Sequence, residues 1–184
     1  TNYPHSPPTF TYCTQGDNIR FNPNFYKSGK VCVSILNTWK GEQWNSCQTI
    51  ASVLLTLMTL FTKNPLLNEP GVTIRNKDVE TYNKIITYKN VEVAMLHLLT
   101  KKKNYYQEWF NIFEQNIHTH FINNYNNIEK WIKSNFDSDT HETICTNIYG
   151  MRCDLTHRKL IDYFNKTGKG VLHRKKGDKK KNSK

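Results

Sequence analysis

Apolar positions along this 184-residue chain follow two periods in turn. Near the start they alternate: residues 9–13 (TFTYC) put Phe10 and Tyr12 on one face after Pro7-Pro8, which predicts a short strand entered from a rigid turn. Residues 14–29 are polar, carry Gly16, Pro23 and Gly29, and predict an irregular loop. Residues 30–36 (KVCVSIL) are β-branched and predict a short strand or extended segment. Beyond residue 45 the period becomes helical. Residues 46–61 predict a helix with Ser46 as N-cap and Thr49 in its first turn, and Ile50, Val53, Leu54, Leu57, Met58 and Phe61 form one wide buried stripe. Two prolines mark 64–71 as a loop. A second helix is predicted over 78–101, on Tyr82, Ile85, Ile86, Val93, Leu96 and Leu99. A third, aromatic one spans 104–121, on Tyr106, Trp109, Phe110, Ile112, Phe113, Ile117 and Phe121. That stripe is a packing face rather than a ligand site. A shorter helix covers 127–136 and a last one 154–164, while 137–156 yields no clear element. No internal repeat is present, and the fold class is α+β.

Charge adds less than its total implies. The chain carries +11, and residues 169–184 (KGVLHRKKGDKKKNSK) hold eight Lys/Arg against one Asp. Most of the excess is therefore a tail with few apolar residues, expected to be disordered from residue 166. Lys outnumbers Arg 21 to 5, beside 22 Asn. That bias favours composition over recognition, since phosphate and base contacts would enrich Arg as well. Nucleic acid is accordingly not expected as a partner. The longest apolar run, residues 50–61, falls short of the ~20 residues of a membrane span, so no membrane is expected. TNYPHSPPTF has neither a positive start nor an apolar stretch, and no secretory leader is expected of it.

Five cysteines, Cys13, Cys32, Cys47, Cys145 and Cys153, are irregularly spaced. Free thiols in a reducing compartment, cytoplasmic or nuclear, are the expectation. His141, Cys145, Cys153 and His157 have i,i+4 pairs at both ends, which two helices could aim at zinc. Their central gap is not a common zinc spacing, four unrelated residues is the stronger reading, and no metal ligand is assigned.

Cys32 stands apart by its context. Asn22-Pro23-Asn24 precedes it, Gly29 lies three residues before it, and Trp39 follows. This is a thiol at the end of a loop shaped by turn formers, with Asn24 able to bring an amide near it. On spacing alone a buried structural cysteine is the better reading. The order Tyr3-Pro4-x-x-Pro7-Pro8, Asn22-Pro23-Asn24, Gly29-x-x-Cys32-Val33-Ser34-Ile35-Leu36, then Trp39 and Trp44 resembles the ubiquitin-conjugating enzymes. Their turn asparagine and acceptor cysteine stand eight residues apart, as Asn24 and Cys32 do here. Asn68-Glu69-Pro70-Gly71 looks most like the branch of large hybrid conjugating enzyme/ligases.

The resemblance covers about residues 3–100. It implies an antiparallel sheet with flanking helices, whose N-terminal helix and first strands are not in this chain. It implies a catalytic domain over 1–101, a helical extension over 102–165 and the tail over 166–184. Cys32 would take ubiquitin or a related modifier as a thioester, and Asn24 would stabilise the oxyanion or hold the loop. Tyr26, Ser34 and Asn68 would face the substrate. The implied partners are ubiquitin, an activating enzyme, a ligase and a protein substrate. No cofactor would bind directly, ATP being spent upstream by the activating enzyme. Two positions depart from the family pattern: Asn22 stands in place of His, and Asn68 in place of an Asp. A catalytically weak or inactive adaptor that binds ubiquitin or a ligase, and a basic nucleic-acid binder, are the alternative readings.

Overall fold

The computed structural model describes residues 2–14, 16, 18–101 and 108–181, with the side chains of 109 and 173–181 left aside. Helix α1 is Ile50–Thr59 and α2 is Asp78–Lys89, continued as a wider π-helical stretch over Asn90–His97. Helix α3 is Glu114–Asn135. Strands β1 (His141–Cys145) and β2 (Arg152–Thr156) form the two-stranded sheet, and α4 is His157–Lys181. Short 3-10 turns cover Ser34–Leu36, Pro65–Asn68, Glu108–Phe113 and Ile148–Gly150. Helices with one small sheet make the class α+β. No helix among the described residues is long and apolar enough to cross a membrane.

Two compact units result. One is Thr1–Ile86 with Cys145–Arg152, the other Thr87–Ile144 with Cys153–Lys184. The boundary between these units falls inside the second helix, and the hairpin loop returns to the first unit. In that unit Phe25, Val31, Val33, Ile35, Leu36, Trp44 and Val53 make a core cluster, with Phe10, Tyr12, Leu57 and Leu60 packed on it. Tyr12 stacks on Phe25 at 4.6 Å, and burial pushes its phenol up to about 12. In the second unit Phe164 meets Phe121 and stacks on Tyr125, which packs α3 against α4. The close approach needs Gly168, where a Cβ would lie 2.4 Å from the Tyr125 ring.

Several expectations are corrected. Neither 9–13 nor 30–36 is a strand: Thr11 bridges Lys30, Phe25 bridges Val31, and the chain then coils into Ser34–Leu36. The cause is Thr38. Its hydroxyl accepts the Val33 N–H at 2.9 Å and lies 2.9 and 3.0 Å from the Val31 and Val33 carbonyls, occupying groups a neighbouring strand would need. Helix α1 starts later, because Thr49 rather than Ser46 is its N-cap, in a reciprocal capping box with Ser52. Its stripe is not wholly buried. Val53 is fully covered, whereas Ile50, Leu54, Met58 and Phe61 are 49–67 % exposed, since the Val53 side packs into the cluster and Phe61 reaches it only at the Phe25 ring.

Residues 102–107, including Tyr106, and the Trp109 side chain lie outside the described residues. Helix α3 begins at Glu114 and runs unbroken through 122–126. The spacing Phe121, Tyr125, Ile128, Ile132 carries the helical period across the Asn-rich stretch that predicted a gap. Residues 137–156, for which no clear element was predicted, form the hairpin, with Cys153 and Leu155 buried on β2 and β1 largely exposed. Helix α4 starts at 157 rather than 154 and continues through the basic tail to Lys181, where disorder was expected. No cluster of three or more His, Cys, Asp or Glu side chains placed to hold a metal exists among the described residues, so the zinc quartet does not converge.

Candidate active site

The segment around Cys32 is built on the Asn22-Pro23-Asn24 turn. Asn22 is 1 % exposed. Its Oδ1 accepts the Asn24 N–H at 2.9 Å and its Nδ2 donates to the Leu60 carbonyl at 2.9 Å, tying the turn to the C-terminal end of α1. The next peptide returns the chain: Phe25 N–H donates to Asn22 O, Tyr26 N–H to Lys30 O, and Gly29 N–H to Tyr26 O. Cys32 thereby arrives beside Asn24, which grips its backbone on both sides. Cys32 N–H donates to Asn24 O at 2.8 Å, and Asn24 Nδ2 donates to Cys32 O at 2.8 Å. Asn24 Oδ1 is buried with no hydrogen-bond partner among the described residues.

The thiol itself is turned inward. Cys32 is 4 % exposed, and its Sγ donates to the Thr38 carbonyl at 3.1 Å. The 37–41 segment covers it. Asn37 adopts a left-handed conformation, and its Oδ1 accepts the Trp44 N–H at 2.8 Å. Gly41 lies against Ser34 with φ +130°; a Cβ there would come within 3.0 Å of Ser34 Cβ, so a side chain is strained. Trp39 is half exposed on the outside of this cover. Removing the Thr38 hydroxyl loosens the cover without touching the thiol. The Thr38→Ala variant is therefore expected to let iodoacetamide alkylate Cys32 several-fold faster, read by mass spectrometry against exposed Cys47 in the same chain; an unchanged ratio contradicts the role given to Thr38.

The structure brings Asn24 and Cys32 together, sets Ser34 in the 3-10 turn against Gly41, and gives Tyr26 and Asn68 other partners. Asn68 Nδ2 donates to Leu60 O at 3.1 Å, sharing that helix-end carbonyl with Asn22. Its amide caps α1, a service an aspartate could not perform because it has no N–H to give. Tyr26 carries Arg20 on its ring, with the guanidinium carbon 3.9 Å from the ring centre. Arg20 is sandwiched, the ring of Tyr149 lying 4.2 Å from the same carbon. Arg20 Nη2 also donates to the Pro23 carbonyl, and the Tyr149 hydroxyl donates to Glu69. Burial first, then that bond to Glu69, hold the Tyr149 phenol above its ordinary range, so it remains the donor.

The profile of the family described as ubiquitin-conjugating enzyme matches residues 1–90. Residues 1–90 thus match the ubiquitin-conjugating enzyme family. It is 44 % identical over 103 residues to ubiquitin-conjugating enzyme E2 Z of Xenopus tropicalis, a match covering 54 % of this chain and 33 % of that one. With the zebrafish (Danio rerio) E2 Z it shares 40 % over 116 residues, covering 61 % and 35 %. The human dual E2 ubiquitin-conjugating enzyme/E3 ubiquitin-protein ligase BIRC6 is 35 % identical over 131 residues, covering 65 % of this chain and 3 % of its own length. The hybrid branch is thus among the matches, and the chain spans about a third of the length of the E2 Z relatives. In this chain Arg20, Tyr149 and Glu69 are linked in series beside the Asn22-Pro23-Asn24 turn. Sequence reasoning placed Glu69 beside Asn68 but missed Arg20 and Tyr149. No local signal marks Tyr149, which lies 129 positions from Arg20 in the chain and reaches it only through the hairpin.

Proposed function

We propose that this chain accepts ubiquitin, or a related modifier, as a thioester on Cys32 and passes it to a lysine of a protein substrate. The observation that supports this most directly is the two-sided grip of Asn24 on the Cys32 backbone, at 2.8 Å each way, within residues that match this family. In charging, the Cys32 sulfur attacks the carbonyl carbon of the modifier's thioester on the activating enzyme. A new C–S bond forms, the old one breaks, and the activating enzyme's thiol leaves with the proton. In transfer, a neutral lysine amine attacks the same carbon, the C–N bond forms, the C–S bond breaks, Cys32 recovers a proton, and the amine's proton passes to water. Asn24 Nδ2 has two hydrogens. One is committed to Cys32 O, and the second is suited to the oxyanion that forms between these steps. A positioned donor and an oriented thioester suffice because the acyl group is already activated.

For charging, the thiol has to leave Thr38 O and turn outward, which is motion of the 37–41 cover. Its burial favours one second reading, a catalytically weak or inactive adaptor that binds ubiquitin or a ligase. No cofactor is required at the site itself, since ATP would be spent by the activating enzyme. The proposed partners are the modifier, that enzyme, a ligase and a substrate. The proposed setting is a reducing one, in which the five cysteines stay thiols. The test is a charging reaction with activating enzyme, ATP and ubiquitin. An adduct that a reductant removes, mapped to the peptide holding Cys32, supports the transferase; no adduct, with ubiquitin binding retained, supports the adaptor.

A further inference from the structure

We propose that Tyr149, at the tip of the β1–β2 hairpin, is a positioning residue for acyl transfer: it clamps Arg20 onto Tyr26, and Arg20 holds the turn that carries the Cys32 backbone. The role rests on the transferase reading above and extends it to a residue far outside the segment that resembles the family.

The contacts form a continuous chain. Arg20 lies between two tyrosine rings, 3.9 Å from the centre of Tyr26 and 4.2 Å from that of Tyr149. A guanidinium held flat by two aromatic faces keeps its N–H groups in one plane. One of them donates to Pro23 O, the middle residue of the active-site turn. The residue after Pro23 is Asn24, whose side chain grips Cys32 O at 2.8 Å. The backbone of Arg20 is fixed as well: its N–H donates to Met151 Sδ at 3.3 Å and its carbonyl accepts from Tyr82 Oη at 2.6 Å. Met151 belongs to the same hairpin loop.

Tyr149 is itself over-determined. Its phenol donates to Glu69, and its backbone sits at φ +66°, which a tyrosine adopts only when its surroundings impose it. The loop is anchored by Asp78, 5 % exposed, whose carboxylate accepts the Ile148 N–H at 2.6 Å and Asn147 Nδ2 at 3.1 Å. A surface loop with no further task has no need of five polar and aromatic ties to the turn, its flank and one buried acid. Here they deliver one ring to one guanidinium.

The step affected is attack of lysine on the thioester carbon, with C–N formed, C–S broken, the amine proton released to water and the Cys32 thiol restored. Tyr149 touches none of these atoms. Its loss lets the turn and Asn24 drift, which lowers the rate of the step and leaves lysine binding alone. The experiment isolates the charged chain and follows single-turnover discharge against free lysine. For Tyr149→Ala the rate at saturating lysine is expected to fall about tenfold, with the half-saturating concentration unchanged. Tyr149→Phe keeps the ring on Arg20 and is expected to remain within about threefold of the original rate; Arg20→Lys loses the plane and behaves like Tyr149→Ala. Discharge of Tyr149→Ala at the original rate, or a change confined to half-saturation, overturns the proposal. If the unmodified chain cannot be charged, the transferase reading is what fails. The clamp is then judged by the alkylation rate of Cys32 relative to Cys47, expected to change several-fold in Tyr149→Ala and Arg20→Lys but not in Tyr149→Phe; an unchanged ratio in all three overturns it.

Discussion

Replacing Cys32 with serine is expected to abolish the reductant-sensitive adduct and leave, at most, a slowly formed one that reductant does not remove. The argument is chemical. A thiol is nucleophilic even near its ordinary range of ~8.5, whereas a hydroxyl needs a base to take its proton. The Cys32 sulfur donates to Thr38 O, and the groups that hold the segment are amides and hydroxyls, none of them a base for an alcohol. Serine should therefore acylate far more slowly. What forms is an oxygen ester, stable to thiol reductants and cleaved by hydroxide. Gel analysis with and without reductant reads both properties at once. A reducible adduct of undiminished intensity in Cys32→Ser would move the acceptor to another of the five cysteines and end the assignment.

The largest effect on stability is expected at Asn22. This side chain is almost fully covered and is used at both ends, accepting from Asn24 N–H and donating to Leu60 O. Asn22→Ala leaves the Asn24 N–H without its acceptor, while Leu60 O retains Asn68 Nδ2 and the Thr62 N–H. An unsatisfied buried group costs about 1–3 kcal/mol. Asn22→Asp is the sharper test, because it preserves shape and the acceptor but sets a carboxylate oxygen against the Leu60 carbonyl. An uncompensated buried charge costs about 3–5 kcal/mol, a large part of the ~5–15 kcal/mol that holds a protein of this kind. In a chain of this length that is a fall in Tm of roughly 10 °C or more. The sign with pH follows. Burial and the facing carbonyl favour the protonated acid in the folded state, so the added acid's folded pKa is raised. The penalty is full at neutral pH and shrinks as the pH falls toward the ordinary carboxylate range near ~4, where the acid can donate to Leu60 O. Thermal unfolding of the variants from neutral to acidic pH measures it. A penalty for Asn22→Asp no larger than for Asn22→Ala would show that the amide does not donate to Leu60 O.

The helices were legible in the sequence because their apolar spacing matches what they bury: Tyr82, Ile85, Ile86, Val93, Leu96 and Leu99 are covered, as a helix over 78–101 requires. The eight-residue step from Asn24 to Cys32 was legible for the same kind of reason, since it closes a local turn. The strands failed where one side chain replaced a ladder. Nothing in KVCVSIL announces that the Thr38 hydroxyl will take its backbone groups. Position 68 illustrates a different loss. An asparagine there reads as a weakened aspartate until the carbonyl it caps, eight residues earlier, is in view. Tyr149 was out of reach altogether, since its partners are set by where a hairpin lands.

The division of the first unit has a consequence in time. Arg20 and Met151 touch across 131 positions, so the unit that holds the thiol cannot be completed as it is made. Synthesis at ~5–20 residues per second puts on the order of ten seconds between the appearance of the Cys32 segment and that of the hairpin loop. Throughout that interval the Asp78 carboxylate lacks Asn147 and Ile148, and Arg20 lacks the second face of its sandwich. A nascent chain stalled after residue 101 holds every residue of the turn and the thiol, yet not their support. On the ribosome, the last piece of the active-site frame to arrive is the one farthest from it in sequence.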